Sequence, residues 1–438
     1  MQTKEEARRA TLDTRPHPQL AKENTHISLG SRTTKTHNTL LFNLILPSLH
    51  FRSAASNSQP QLIRVRGYPS EIHQVITDDG YILEIHRIPH GRNGGPRNQN
   101  RISTAERGGN GRRENRRVVF IQHCVLCSSA DFVLNDPDQA LAFILADAGY
   151  DVWLGNARGN VYGRRHVRLS PEQREFWDFS MNEIARFDIP SMLSYIRGMT
   201  GAPRVYYIGH SMGTTVFFAM MNYHPHINDW IRVMAAMAPV AYKDHAAIYQ
   251  LYGPIIKSTY RAMERAGVVE VGMLSANYSA ATSSLCAPLA PTKPVCDAVR
   301  MLALGPNSGY IDKAYQPVIL AHIPAGMSLN VLKHFQQFHT SRKFQAYDYG
   351  RRRNMQEYGS PEPPSFSFGQ VRAPVGLLYS DGDWISDTLD VRRMAPELPN
   401  LVLDYLVPLA DFNHNDFLWA ENANRLVYDR ILSLLRKY

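Results

Sequence analysis

Residues 209–213 read Gly-His-Ser-Met-Gly, and their setting restricts the fold more than any other stretch of the chain. The pentapeptide follows the apolar run Arg204-Val205-Tyr206-Tyr207-Ile208 and opens a helical pattern from Met212 to about Asn222. A serine at such a strand-to-helix turn projects its hydroxyl out of the sheet, and its neighbours Gly209 and Gly213 must be tiny because the turn crowds them against backbone. The helix that follows points its N-terminal amides at whatever oxygen reacts there. By residue frequencies alone the pattern occurs in on the order of one chain in ten of this length. The strand before it and the helix after it therefore carry the weight; without them it reads as a plain Gly-rich turn.

The flanking sequence repeats the same texture. Ile72–Thr77, Asp78-Asp79-Gly80 and Tyr81–Ile88 predict a β-hairpin. Val118–Ile121 is a short continuous apolar run, as expected of a strand buried on both faces. A helix over Pro137–Ala148 ended by Gly149, a strand over Tyr150–Leu154, an amphipathic helix over Asn182–Arg197 interrupted at Pro190, and a strand over Val233–Ala238 follow. Strands alternating with helices at this spacing predict a mostly parallel sheet with helices on both faces. From about Ala241 to Phe368 the alternation gives way to Tyr-, Met- and Pro-rich segments, closed by Pro361-Glu362-Pro363-Pro364. The strands resume over Val375–Tyr379 and Leu401–Val407, and a helix over Asn422–Leu435 ends the chain. The expected organisation is a core over 61–240, an insertion over 241–368 and a second part of the core over 369–438.

A serine nucleophile needs a base, and the base needs an orienting acid. In sheets of this type they follow the serine at the C-terminal ends of later strands. His414, in Asp411-Phe412-Asn413-His414, is the candidate base. For the acid, position alone leaves Asp383, Asp381 and Asp387 open. His210, inside the turn, reads as a packing residue. The oxyanion that develops needs two backbone amides. Met212 supplies one, and the loop Gln122-His123-Cys124-Val125-Leu126 supplies the other, with Val125 the candidate.

At 438 residues the chain is long enough for one large domain with an insertion. Its net charge of +9 is uneven: residues 1–60 carry +4 and residues 90–117 carry +6, leaving −1 for everything else. The basic balance thus reports a tail and one Gly-, Asn- and Arg-rich loop (91–117), and no nucleic-acid partner is expected. Residues 1–60 show no sustained period and are expected to be disordered or removed, with order beginning near Tyr68. Within them Lys35, the apolar Leu40–Leu49 and Ser53-Ala54-Ala55 follow the order of a signal peptide, displaced to about residues 36–55. No segment is long enough to span a bilayer. Of four cysteines, Cys124 and Cys127 form a C-x-x-C with no second pair or histidine pair to complete a zinc site, so neither metal nor cofactor is expected. Cys286 and Cys296 suit a disulfide across a short loop in an oxidising compartment, and the sequon Asn277-Tyr278-Ser279 fits the same compartment.

These blocks resemble the acid lipases, the family of gastric lipase, lysosomal acid lipase and many insect lipases, within the α/β-hydrolase fold. The resemblance covers about Tyr68 to the C-terminus. It rests on Thr77–Leu83, Leu141–Asn160, Gly209–Thr214, Pro324-Ala325-Gly326, Lys343–Gly350 and Asn413–Trp419. It implies Ser211 as nucleophile, His414 as base, Asp383 as the acid, and Met212 and Val125 as oxyanion donors. It implies a mainly helical cap and lid over 241–368, with a Cys286–Cys296 disulfide. It also implies a secreted or lysosomal enzyme that hydrolyses neutral lipid esters at a lipid–water interface. A short-chain carboxylesterase, and a catalytically silent lipid-binding carrier on the same scaffold, are the competing expectations. Two departures stand out. Cys124 replaces the family's usual glycine, where the backbone conformation can suit glycine alone, and Met212 replaces its usual Gln.

Overall fold

The computed structural model describes residues 57–94, 117–273 and 309–438. The segment 36–55, most of the 91–117 loop, Asn277, Cys286 and Cys296 lie outside the described residues.

Strands β1 (Glu71–Ile76) and β2 (Tyr81–Ile88) form the expected hairpin, closed by Gly80 N–H to Thr77 O at 2.9 Å. They are followed by β3 (Val118–Gln122), β4 (Asp151–Leu154), the short β5 (Arg165–His166), β6 (Val205–His210) and β7 (Ile231–Met237). After the insertion come β10 (Val375–Tyr379) and β11 (Leu401–Leu406), the insertion itself contributing the antiparallel pair β8 (Glu270–Met273) and β9 (Ala325–Ser328). The main sheet runs β1-β2-β4-β3-β6-β7-β10-β11, with every pairing from β4 to β11 parallel. The continuous apolar runs explain this: Val118 and Phe120 face one core while Val119 and Ile121 face the other, and all four are fully buried. Helices cover both faces, and the fold class is that of the α/β hydrolases.

The helices that matter for the site are α1 (Leu141–Asp147), α2 (Ile189–Thr200), α3 (Met212–Tyr223), α4 (Ala247–Arg265), α5 (Leu329–Ser341) and α6 (Asp429–Lys437). Helix α1 begins four residues later than Pro137, because Asp136 O captures the amides of Gln139 and Ala140 in a separate turn. Before α2 the chain makes one wide turn over Ile184–Asp188. Pro190 has no N–H to give the Arg186 carbonyl, which accepts instead from His224 Nε2 at 2.8 Å. Order also starts earlier than Tyr68. A helix over Gln59–Val65 buries Leu62 and Ile63, and the Gln59 side chain donates to Ser129 O at 3.0 Å. Tertiary contacts fix this segment where local periodicity is weak.

Past β3, Ser128 and Asp131 cap each other: Ser128 N–H donates to Asp131 Oδ2 at 2.8 Å, and Ala130 N–H to Ser128 Oγ at 3.2 Å. Asp131 is buried and its Oδ1 has no partner among the described residues. Burial pushes its carboxyl up to about 7, opposed by the backbone amides. The folded state then holds a proton that the unfolded chain has lost, so stability falls as pH rises from about 4 to 7. Asp131→Asn keeps an oxygen for Ser128 N–H and removes the charge. It is expected to unfold like wild type at pH 4.5 and to be more stable by on the order of 2 kcal/mol at pH 8. Thermal unfolding at the two pH values checks this, and an equal gap at both would place the effect elsewhere than in the charge.

Candidate active site

Strand β6 ends at His210, and Ser211 takes φ 54° and ψ −116° before α3 begins at Met212. That conformation costs a side-chain-bearing residue on the order of 1–3 kcal/mol and persists only where surroundings over-determine it. Here they do. Ser211 N–H bonds to Met237 O at 3.0 Å, and Ser211 O accepts from the Thr214 amide at 2.8 Å and from Thr214 Oγ1 at 2.7 Å. Glycine is required on both sides. A Cβ on Gly209 would lie 2.7 Å from the Gly213 carbonyl carbon, and one on Gly213 would fall on the Gln122 carbonyl and 3.2 Å from His123 O. The second contact brings the start of α3 directly under the loop that leaves β3.

His414 follows β11, and its Nδ1 lies 2.7 Å from Asp383 Oδ2; His414 is 3% exposed and Asp383 2%. The other oxygen of Asp383 accepts the amides of Ile385 and Ser386, each at 2.8 Å. Its neighbours do other work. Asp381 accepts from Thr388 Oγ1 at 2.8 Å, and Asp387 caps a helix by accepting from the Leu389 amide at 2.8 Å. Of the three acids left open by position, Asp383 alone meets the imidazole among the described contacts.

Among the described residues, the buried Ser211 Oγ and His414 Nε2 each make no hydrogen bond. Such groups are costly to leave unpaired in an interior and persist where chemistry needs them. His210 packs against His414. Its Nε2–H donates to His414 O at 3.0 Å and the two rings lie 4.9 Å apart. Burial, and then the neighbouring His414, push the His210 imidazole well below its usual range, so it stays neutral. It thus packs, as its position in the turn predicts, and also holds the backbone of His414.

The loop after β3 is fixed from several sides. His123 is fully buried and burial pushes its imidazole down to about 4. Its Nδ1–H donates to Cys124 O at 2.7 Å while its Nε2 accepts from the Ala157 amide at 3.0 Å. Cys124 and Cys127 are joined as a disulfide, so neither offers a zinc-binding thiolate. Leu126, between them, carries the positive φ (59°), and Leu126 O accepts the Ala325 amide of β9 at 2.7 Å. The strained position is therefore Leu126. Cys124 keeps an ordinary backbone, which removes the steric objection to a cysteine there. Met212, as the first residue of α3, has an amide with no intrahelical acceptor. Val125 lies between the disulfide-linked cysteines.

Sequence reading passed over Arg158, His123 as a loop clamp, and Lys243, a buried cation beside the Asp383 turn. Lys243 leaves little signal: a charge directly after the apolar Ala238–Tyr242 and followed by Asp244 and His245.

A model of the partial alpha/beta-hydrolase lipase region matches residues 59–136, and one of the alpha/beta hydrolase fold matches residues 121–263. Lipase 3 of Drosophila melanogaster is 38% identical over 374 residues, covering 85% of this chain and 91% of its own length. Gastric triacylglycerol lipase of Bos taurus is 35% identical over 395 residues, covering 87% and 91%. A solved structure from Sulfolobus solfataricus covers 84% of this chain and 94% of its own with a TM-score of 0.53 at 16% identity, a likeness of fold. The resemblance carried by the sequence blocks is thereby borne out: the chain belongs to the α/β-hydrolase lipase family that includes gastric triacylglycerol lipase.

Proposed function

We propose that the chain is a secreted or lysosomal serine lipase that hydrolyses the carboxylic esters of neutral lipids, triacylglycerol or sterol ester, through an acyl-enzyme on Ser211. The observation that carries this is the 2.7 Å contact of His414 Nδ1 with Asp383 Oδ2 beside a serine on a strained elbow. Ser211 Oγ attacks the ester carbonyl carbon and its proton passes to His414 Nε2. The tetrahedral oxyanion is held by the amides of Met212 and Val125. The C–O bond to the alcohol breaks, the alcohol leaving with the proton from His414, and water repeats the sequence on the acyl-enzyme. Asp383 keeps the imidazole in the tautomer that presents Nε2 to the serine and stabilises its cationic form.

Several features support the compartment and substrate. A Cys124–Cys127 disulfide suits an oxidising environment. No helix among the described residues is long and apolar enough to cross a membrane. The named relatives include gastric triacylglycerol lipases. Ser211 is 1% exposed, so the nucleophile is reached from within the fold, which suits an apolar acyl chain.

The test is hydrolysis of p-nitrophenyl esters of rising chain length and of emulsified triolein by the full chain, expressed through a secretory route, beside Ser211→Ala. The expected result is activity strongest on long chains and absent from the variant. Activity confined to short soluble esters would make it a carboxylesterase. A folded wild type no faster than Ser211→Ala would leave the silent lipid-binding carrier as the better account.

A further inference from the structure

We propose that Lys243 is a positioning residue for the orienting acid, its ammonium holding the Asp383 turn against the hinge between sheet and insertion. This rests on the assignment of Asp383 and His414 proposed above.

Lys243 is 2% exposed and its Nζ donates to Ile385 O at 3.3 Å, its one hydrogen-bond acceptor among the described residues. The amide on the other side of Ile385 donates to Asp383 Oδ1 at 2.8 Å. One residue thus links the ammonium to the carboxylate that orients His414. The rest of the turn is docked on the same hinge. Ile248 N–H of α4 donates to Trp384 O at 3.1 Å, and Ser386 Oγ to Pro239 O at 2.6 Å. These contacts are neutral, and only Lys243 brings charge. Its Nζ lies 5.0 Å from the Tyr249 ring centroid on α4 and 5.1 Å from that of Phe335 on α5. Two aromatic faces and one carbonyl form a cage, with no carboxylate paired to the ammonium among the described residues. A buried ammonium that lacks a salt bridge is costly and calls for a role.

The charges around it are Asp383 and Asp390. Asp390 already accepts the amide of His245 at 3.0 Å and His245 Nδ1 at 2.8 Å. His339 Nδ1 donates to the Lys243 carbonyl at 2.8 Å, away from the ammonium. Burial pushes the ammonium down to about 8, and Asp383 and Asp390 pull it back up. Below about 8 the cation is present beside Asp383, and above it the cation is lost.

The test compares Lys243→Met, which keeps the stem and removes the charge, with Lys243→Arg, which keeps the charge, in the full chain, on a soluble p-nitrophenyl ester across pH. Lys243→Met is expected to lower kcat by about 10- to 100-fold with KM little changed, since the acid is misplaced and the binding surface is untouched. Lys243→Arg should restore most of kcat and carry the alkaline limb beyond that of wild type, because guanidinium does not titrate there. In an Asp383→Asn background the Lys243→Met factor should vanish. Equal activity of Lys243→Met and wild type, or the same factor with and without Asp383, overturns the proposal. If Lys243→Met does not fold, Lys243→Gln keeps a donor for Ile385 O without charge, and wild-type-like kinetics in it overturn the proposal equally. A wild type no faster than Ser211→Ala overturns this together with the hydrolase reading, whereas activity lost in Ser211→Ala and intact in Lys243→Met overturns this alone.

Discussion

Ser211→Ala, His414→Ala and the double variant are expected to lose nearly the same activity, on the order of 10^6-fold in kcat, and Asp383→Asn about 10^4-fold. The near-equality is the informative part. A serine nucleophile and its base act as one unit, so once either is gone the other has nothing to do. The geometry supports this: Ser211 Oγ and His414 Nε2 are both buried and make no hydrogen bond among the described residues, so neither has a second role to lose. Asp383 does have one, since its Oδ1 holds the Ile385 and Ser386 amides. Asparagine retains an oxygen for those amides, and the loss is confined to the tautomer and charge of the imidazole. Single-turnover assays on a p-nitrophenyl ester read all four proteins. Additive losses in the double variant, multiplying to far beyond either single, would mean that serine and histidine belong to different sites.

Much of this arrangement was legible in the chain because its determinants are local. The elbow needs small residues at 209 and 213, and Gly213 shows why: any Cβ would strike the Gln122 carbonyl. Parallel strands buried on both faces must be apolar at every position, which made Val118–Ile121 and Val205–Ile208 readable. His414 was readable because it lies just past a strand end on the same sheet edge. The acid was not separable by position, since Asp381, Asp383 and Asp387 share one turn. What divides them is which carboxylate meets a histidine 31 residues away and which ones cap local amides. Pro190 was read as an interruption, but its outcome depended on His224, which takes the orphaned carbonyl from another element. Lys243 and Arg158 were missed for the same reason. A single charge in sequence carries no period, and its partners are supplied by folding.

Arg158→Met is expected to destabilise the protein by about 3–5 kcal/mol at pH 8 and by clearly less at pH 5. Arg158 is 1% exposed and joins two elements that sequence separates widely. Its Nη1 and Nη2 meet the Asp79 carboxylate of the hairpin turn at 2.5 and 2.8 Å, and its Nε meets Asp188 Oδ1 at 2.7 Å before α2. Its amide donates to Asp188 Oδ2 at 2.9 Å, and the guanidinium lies 4.0 Å over the Tyr81 ring. Asp188 is fully buried. Burial raises its carboxyl to about 6 even though Arg158 opposes the shift. Removing Arg158 takes away the opposing positive charge, so Asp188 would keep its proton to still higher pH. The cost of the variant is that of leaving a carboxylate uncompensated in the interior, and it grows as pH rises through the range where that carboxylate ionises. At pH 5 Asp188 is neutral, and what remains is the packing over Tyr81, the lost hydrogen bonds and the unpaired Asp79 carboxylate, which Arg158 holds below its usual range. Adding Asp188→Asn to Arg158→Met should recover part of the loss at pH 8 and little at pH 5, a coupling that two independent sites would not show. Denaturant unfolding of the three proteins at both pH values measures it. A loss from Arg158→Met that is the same at pH 5 and pH 8 would assign the cost to Asp79 and the packing on Tyr81 and remove the charge of Asp188 from the account.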